Sequence, residues 1–275
     1  MHTPDVMSPP LGFPPSSPLK LYPHEFRAIA SPNPFEDESG VMLIIRALDS
    51  IIQCDLISFR TYREIEGPYC DYIASQFEKP VLLTVLYCSF GSECALKKDQ
   101  FQELVLGLEL TGKPFLVALK PPLGSATVEE ALPDGFEERV RGRGIVHGGW
   151  VQQPQILAHP SIGCFLSHCG YGSMLESLLM NDFQIVLIPN VLDQYLNAKL
   201  LTEELKVAVT VERREEDGWF SKENVCSAVK TVMDEGSRIG VELKANHAKL
   251  KKLLSDPDLE SSYIDTFTNK LLDLM

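Results

Sequence analysis

Residues 150–194 read WVQQPQILAHPSIGCFLSHCGYGSMLESLLMNDFQIVLIPNVLDQ, and the order of residue types in this stretch decides the fold. Gly163 to Ser167 is a short apolar run that fits a buried strand. The glycine-rich residues from His168 to Gly172 predict a turn directly after that strand. Apolar residues then recur at helical spacing after Ser173. A strand, a turn and a helix in this order suit a phosphorylated ligand that carries hydroxyl groups.

The predicted turn places free backbone N–H groups at the N-terminus of a helix, where the unpaired donors and the helix dipole both favour an anion. Gly170 and Gly172 carry no Cβ, so a phosphate can approach the backbone closely. Glu176 follows Ser173 by three residues and therefore shares its helical face. A carboxylate there can accept hydrogen bonds from two ribose hydroxyls.

Other sites fit these residues less well, although a purely structural role for His168 stays open on the motif alone. The dinucleotide-binding fingerprint requires a glycine where Leu175 stands. The nucleophile elbow of a hydrolase fails because Tyr87 occupies the first glycine position of the motif around Ser89. A zinc site would use four residues that lack the paired spacing of such sites, namely His159, Cys164, His168 and Cys169.

The rest of the chain alternates strands and helices, which predicts an α/β fold with a doubly wound parallel sheet. The ligand of such a sheet lies at the carboxyl ends of the strands, where the turns at Ser92 and His168 both fall. Strands are expected at 55–59, within the apolar run 79–90, at 114–119 and at 144–147. Helices are expected at 24–30, 40–53, 62–77, 97–110, 136–140, 222–234, 239–254 and 259–274.

Composition favours a cytoplasmic enzyme domain. The chain has 275 residues and 44% hydrophobic content, enough for one large domain or two small ones. Its net charge of −13 disfavours nucleic acid and anionic membranes as partners, so a phosphate site must depend on local donors. Seven cysteines with scattered spacing indicate reduced thiols. The sequence contains no apolar run long enough for a membrane span, and residues 1–5 lack the basic start and apolar core of a signal peptide, so we expect neither feature.

The stretch at 150–194 resembles the signature of plant UDP-sugar-dependent glycosyltransferases. The residues that match it in order are Trp150, Gln153, His168-Cys169-Gly170, Ser173, Glu176, Asp193-Gln194 and Asn197. Segments 62–67 and 136–140 are similar to the branch that adds sugars to flavonoid or anthocyanidin glycosides in plant secondary metabolism. The resemblance covers about residues 11–275 and implies a GT-B fold.

That resemblance also implies how the chain is organised. Residues 85–275 correspond to the Rossmann-like, UDP-sugar-binding domain with its C-terminal helices. Residues 1–84 correspond to a remnant of the N-terminal acceptor-binding domain. The proline-rich linker that separates the two domains in relatives is missing between 84 and 85, and we expect an N-terminally truncated chain.

The family's contacts with the nucleoside can be carried over position by position. Trp150 is implied to stack on the uracil ring, and the backbone of Val151 to read the edge of the base. Gln153 and Glu176 are implied to hold the ribose hydroxyls. These roles suit a flat ring for a flat base, and an amide and a carboxylate for a diol.

The contacts with the diphosphate and the sugar follow in the same way. The residues implied to bind the diphosphate are Gly91, Ser92, His168, Gly170 and Ser173. Asp193 and Gln194 are implied to bind hydroxyls of the donor sugar. The resemblance implies no metal and no cofactor, since the UDP-sugar is itself a substrate.

The signature departs from the family at two points. Tyr171-Gly172 replaces the usual Trp-Asn, so Tyr171 is expected to pack near the sugar and Gly172 to offer only its backbone to the phosphate. The stretch between Glu176 and Asp193 is one residue longer than usual, which bears on where Asp193 lies.

The family transfers the sugar with inversion, after a histidine near the native N-terminus deprotonates the acceptor hydroxyl. No catalytic base is nominated here, because none of the six histidines lies in that context: His2, His24, His147, His159, His168 and His247. The expected function is transfer from a UDP-sugar to a hydroxyl of a flavonoid-like acceptor. The alternative is an inactive truncated paralogue that only binds UDP-sugar or acts as an interaction protein.

Overall fold

The computed structural model describes residues 12–14, 49–54, 57–58, 63–79, 81–82, 84–92, 94–191, 193–234 and 236–272. Two compact units divide the chain, Met1–Leu83 and Thr84–Met275. The expected helix at 24–30, most of the one at 40–53 and the ends of the strand at 55–59 lie outside the described residues. Residues 49–53 are helical.

The first unit contains a small parallel sheet and one helix. Strand β1 (Ile57–Ser58) pairs with β2 (Val81–Leu82), with Ile57 opposite Val81. Helix α1 (Arg63–Phe77) connects the two strands and begins one residue after the predicted start at 62. A parallel pair joined through a helix is a right-handed crossover unit in nearly all proteins.

The second unit is built on six parallel strands in the order β5-β4-β3-β6-β7-β8. The chain enters in the middle of the sheet, winds to one edge and returns to wind to the other. This is the predicted doubly wound α/β architecture, and the prediction is confirmed. The strands are β3 (Val85–Ser89), β4 (Phe115–Ala118), β5 (Gly144–His147), β6 (Ile162–Ser167), β7 (Gln184–Leu187) and β8 (Ala208–Thr210).

Helices cover both faces of this sheet. They are α2 (Lys98–Leu110), α3 (Phe136–Arg139), α4 (Gln153–Ala158), α5 (Tyr171–Leu179), α6 (Gln194–Lys199), α7 (Lys222–Met233), α8 (Arg238–Leu254) and α9 (Pro257–Leu272). A 3₁₀ turn lies at Glu129–Ala131 and a π turn at Leu200–Glu204. None of the helices in the described part of the chain is long and apolar enough to cross a membrane.

Successive side chains of the central strand β3 enter different cores. Leu86 and Cys88 join the larger cluster, which also holds the buried faces of α2 and α7. Tyr87 joins the second cluster with Phe165, and their rings stack with centroids 5.3 Å apart. Such alternation is required of a parallel strand that is buried on both faces. Each large apolar side chain removed from water contributes about 1.5–3 kcal/mol, so burial on both faces stabilises β3 and β6.

Candidate functional site

The candidate site lies where the winding direction of the sheet reverses, at the carboxyl ends of β3 and β6. The register of these strands pairs Ser89 with Ser167, so the two strands end at the same level. Gly91 follows β3 with φ +68°, and a Cβ on it would lie 3.0 Å from the imidazole of His168. Glycine therefore allows the turn after β3 to touch the turn after β6.

His168 is nearly buried, with 8% of its surface exposed. Its Nδ1 is buried without a hydrogen-bond partner among the described residues. Burial lowers the pKa of His168, and the backbone of Ser89 and the carboxylate of Asp193 act against that shift. The ring is therefore mostly neutral near pH 7 and carries a polar atom whose hydrogen-bonding capacity is unused.

The turn after β6 has a constrained backbone. Cys169 adopts φ +64°, in the left-handed region that side chains other than glycine rarely occupy, and its amide donates to Ser167 Oγ at 3.1 Å. Helix α5 begins at Tyr171, two residues before Ser173, and Met174 N donates to Gly170 O at 2.9 Å. The amides of residues 171–173 precede that bond and form the positive end of the helix.

An amide side chain joins α4 to α5 beside this turn. Gln153 Nε2 donates to Glu176 Oε2 at 2.8 Å and to Ser173 Oγ at 3.0 Å. Tyr87 donates its hydroxyl to Gln153 Oε1 at 3.4 Å, and burial raises the pKa of Tyr87 to about 12, so it stays protonated. Three predicted site residues therefore form one connected group, which holds a half-buried carboxylate in a defined orientation.

A cavity of about 340 Å³ opens on the β3–β4–β5 side of the site. Trp150 lies at its wall with 82% of its surface exposed, so its ring is available for stacking. Further lining residues include Gly91, Ser92, Lys120, Val151 and Gln153. The cavity places the predicted base-binding residues beside the first of the predicted phosphate turns.

Asp193 lies beside the turn after β6 despite the longer connection that precedes it. Asn197 Nδ2 donates to Asp193 Oδ2 at 3.0 Å and to the carbonyl oxygen of Cys169 at 3.1 Å. One side-chain amide therefore ties the start of α6 to the turn.

Gln194 is buried and is used partly by its own loop. Its Oε1 accepts hydrogen bonds from the backbone N–H groups of Asn190 and Val191, at 2.9 and 3.1 Å. Its amide nitrogen makes no hydrogen bond to another described residue and is therefore available for a ligand.

Tyr171 and Gly172, which together form the first departure from the family signature, are both exposed. Tyr171 has 60% of its surface exposed. A Cβ on Gly172 would meet nothing within 4 Å. A side chain at residue 172 would therefore find free space in the first turn of α5.

The structure brings the predicted residues together at the carboxyl ends of the central strands. It also adds three residues that the sequence did not predict. Tyr87 was considered only for a hydrolase motif, but it orients Gln153. Lys120 follows β4 and lines the cavity. Arg213 holds the loop before Asp193. A signal for Lys120 was present, because it follows a predicted strand at the ligand-binding edge.

The chain is similar to known proteins in sequence and in fold. The family model described as UDP-glucoronosyl and UDP-glucosyl transferase matches residues 75–260. A cyanidin 3-O-galactoside 2''-O-xylosyltransferase of Actinidia chinensis var. chinensis is 51% identical over 298 residues, which covers 98% of this chain and 65% of that protein. An anthocyanidin 3-O-glucoside 2''-O-glucosyltransferase of Ipomoea purpurea is 47% identical over 298 residues, with coverages of 98% and 64%. The chain thus spans just under two thirds of these relatives.

A solved structure of similar fold is UGT2 of Phytolacca americana. Its apo form matches with a TM-score of 0.61 and 25% identity, covering 82% of this chain and 57% of that one. Its complex with UDP-2fluoro-glucose and pterostilbene matches with a TM-score of 0.54 and 26% identity, covering 76% and 50%.

Proposed function

This chain belongs to the UDP-glucoronosyl and UDP-glucosyl transferase family, and from that premise we propose that it binds a UDP-sugar at the edge formed by β3 and β6. We propose further that it takes part in transfer of the sugar to a hydroxyl of a small-molecule acceptor. The observation that carries the proposal is the hydrogen bond between Gln153 and Glu176. It orients a carboxylate, which can accept hydrogen bonds from ribose hydroxyls, near a helix N-terminus, which favours a diphosphate.

The nucleoside is proposed to enter the cavity beside Trp150. The uracil ring stacks on the exposed indole, and the backbone of Val151 reads the edge of the base. Glu176 accepts hydrogen bonds from the ribose hydroxyls. Gln153 holds that carboxylate, and because its two amide hydrogens bond Glu176 and Ser173, it contributes its carbonyl oxygen as a further acceptor. The 82% exposure of Trp150 supports this role, because an indole left in water gains by stacking.

The diphosphate is proposed to lie over the turn after β6. The N–H groups at the start of α5 supply directed donors, as does the hydroxyl of Ser173. His168 adds its imidazole from below. The turn after β3 adds the backbone of Gly91 and the hydroxyl of Ser92. Gly170 and Gly172 let the phosphates approach the backbone.

The sugar is proposed to contact Asp193 through its free carboxylate oxygen and Gln194 through its amide nitrogen, with Tyr171 beside it. In the transfer, the acceptor oxygen attacks the anomeric carbon, and the bond from that carbon to the diphosphate oxygen breaks. The electron pair leaves with UDP, and the hydroxyl proton passes to a base. The donors around the diphosphate stabilise the charge that develops on the leaving group.

The acceptor is proposed to be a flavonoid or anthocyanidin glycoside, because relatives with 47–51% identity bear the names of enzymes for such substrates. These names favour transfer over binding alone. We propose that residues 85–275 form the UDP-sugar-binding domain and that residues 1–84 are a remnant of the acceptor-binding domain. We also propose a cytoplasmic location, which is supported by the thiols of Cys88, Cys164 and Cys169 outside any disulfide.

Calorimetry of the purified chain with UDP tests the donor site. We expect binding, and we expect Glu176→Ala to weaken it by about 10-fold to 100-fold, because hydrogen bonds to a charged group contribute about 1.5–3 kcal/mol. Glu215→Ala is the matched control, since this glutamate is exposed in a turn outside the site. A wild-type chain that does not bind UDP refutes the proposal. Mass spectrometry of a mixture with UDP-glucose and a flavonoid glycoside then tests transfer.

A further inference from the structure

Arg213 occupies an unusual position behind the loop that precedes Asp193. It follows β8 and is half-buried. Its guanidinium donates to the carbonyl oxygen of Pro189 and, at 3.1 Å, to Oδ1 of Asn190. Its Cζ lies 5.3 Å from the centre of the Phe220 ring, within the range of a cation–π interaction.

This cation is not neutralised by a carboxylate of any described residue, and its Nε is buried without a hydrogen-bond partner there. Burial lowers the pKa of Arg213, and the nearby Tyr195 hydroxyl acts against that shift. Holding an unpaired charge away from water is unfavourable. We therefore look for the role of Arg213 in the two oxygens that it binds, those of Pro189 and Asn190.

Asn190 is the point on which these contacts converge. Its N–H donates to Gln194 Oε1 at 2.9 Å, and its carbonyl accepts from the Tyr195 hydroxyl at 3.1 Å. Its Nδ2 donates to the carbonyl of Ile188 at 2.9 Å. Arg213 takes the remaining oxygen. The loop is thus fixed from the strand, from α6 and from the guanidinium.

We propose that Arg213 is a positioning residue for the donor sugar: by fixing Asn190 and Pro189 it sets the loop from which Asp193 and Gln194 reach the sugar. The inference rests on the proposed function. This role needs both terminal nitrogens of the guanidinium, because Nη1 binds the carbonyl oxygen of Pro189 while Nη2 binds Oδ1 of Asn190. A lysine retains the charge but is a single compact donor group.

The next residue in the chain provides a matched control. Arg214 is exposed and pairs with Asp217, at 2.6 and 3.1 Å, and its Cζ lies 5.7 Å from the Trp219 ring. Among the described residues, its side chain contacts Asp217 and Trp219 and not the loop before Asp193. Arg214→Gln therefore removes the same type of charge from the same segment without touching Asn190.

The experiment compares UDP with UDP-glucose by calorimetry on the full chain. For Arg213→Gln and Arg213→Lys we expect the Kd for UDP to stay within about twofold. The Kd for UDP-glucose should rise about 5-fold to 10-fold, the size of one lost net hydrogen bond. Arg214→Gln should leave both unchanged. Hydrogen exchange at the N–H groups of residues 190 and 191 should become faster in both Arg213 variants, because Gln194 no longer meets a fixed loop.

Distinct results overturn the inference. Equal weakening of UDP and UDP-glucose means that Arg213 affects the whole site through folding or charge, and wild-type behaviour of Arg213→Lys means that charge alone suffices. Failure of the wild type to bind UDP refutes the proposed function instead. In that case hydrogen exchange still tests the inference, because unchanged exchange rates at residues 190 and 191 in the Arg213 variants would show that Arg213 does not fix the loop. If Arg213→Gln does not fold, the lysine variant carries the comparison.

Discussion

Gly172 offers a test that adds an interaction instead of removing one. Its backbone belongs to the first turn of α5, and a Cβ there would meet nothing within 4 Å. The family signature usually has asparagine at this position. We predict that Gly172→Asn strengthens UDP binding by about fivefold and does not destabilise the chain.

The size of the effect follows from the site. A hydrogen bond to a charged phosphate contributes about 1.5–3 kcal/mol, and ordering the asparagine side chain costs about 1 kcal/mol. The balance of about 1 kcal/mol corresponds to roughly fivefold in Kd. Replacing glycine in helical backbone adds up to about 0.5 kcal/mol of stability, since asparagine is a weaker helix former than alanine.

Calorimetry with UDP and thermal unfolding measure the two effects separately. Gly172→Ala is the control, because it makes the same backbone change without an amide, so it should raise Tm and leave the Kd for UDP unchanged. An equal gain in affinity from alanine would refute a phosphate contact by the amide. A loss of UDP affinity in Gly172→Asn would show that the diphosphate does not lie over this turn.

Four further outcomes are expected from the same assays. Gly170→Ala should weaken UDP binding, because the added Cβ would lie 2.6 Å from His168 Nε2 and must displace the ring; a Kd equal to wild type contradicts this. The lowered pKa of His168 means that the unfolded chain takes up its proton first, so stability should fall as pH drops below about 6.5. A bound diphosphate raises the pKa of His168 again, so UDP affinity should increase from pH 7.5 toward 6 with proton uptake. UDP's own titration contributes part of this pH dependence, and His168→Gln should abolish the rest. A double-mutant cycle of Gln153→Ala and Glu176→Ala should give a coupling energy of about 1 kcal/mol in UDP binding; additive losses would show that the pair acts independently.

The regular part of the fold could be predicted because its signals are local. The strand at 144–147 has the predicted bounds, and the helices α2, α7 and α8 begin and end within two residues of theirs. Their apolar residues recur over enough turns to define a face. The short helices α4 and α6 were not predicted, because six residues are too few for a helical period to be distinguished from chance.

The contacts within the site could be predicted only in part. The turn after β6 follows from its glycines, but the bond between Gln153 and Glu176 spans 23 residues and depends on how α4 packs against α5. Arg213 and Arg214 illustrate the limit most directly. Both stand in a charged segment that indicates a solvated loop, yet one is half-buried and the other exposed. Only the path of the backbone after β8 distinguishes them.

Asn197 has a consequence for any attempt to change which sugar is accepted. Its single amide nitrogen holds both the carboxylate of Asp193 and the carbonyl of Cys169. A substitution at Asp193 removes one of the two partners that orient this amide, and so weakens its hold on the backbone on which the leaving group is proposed to rest. Gln194 has no such tie, since its oxygen binds only its own loop. A mutant library that keeps residues 193 and 197 and varies 194 should therefore alter donor preference while preserving nucleotide affinity.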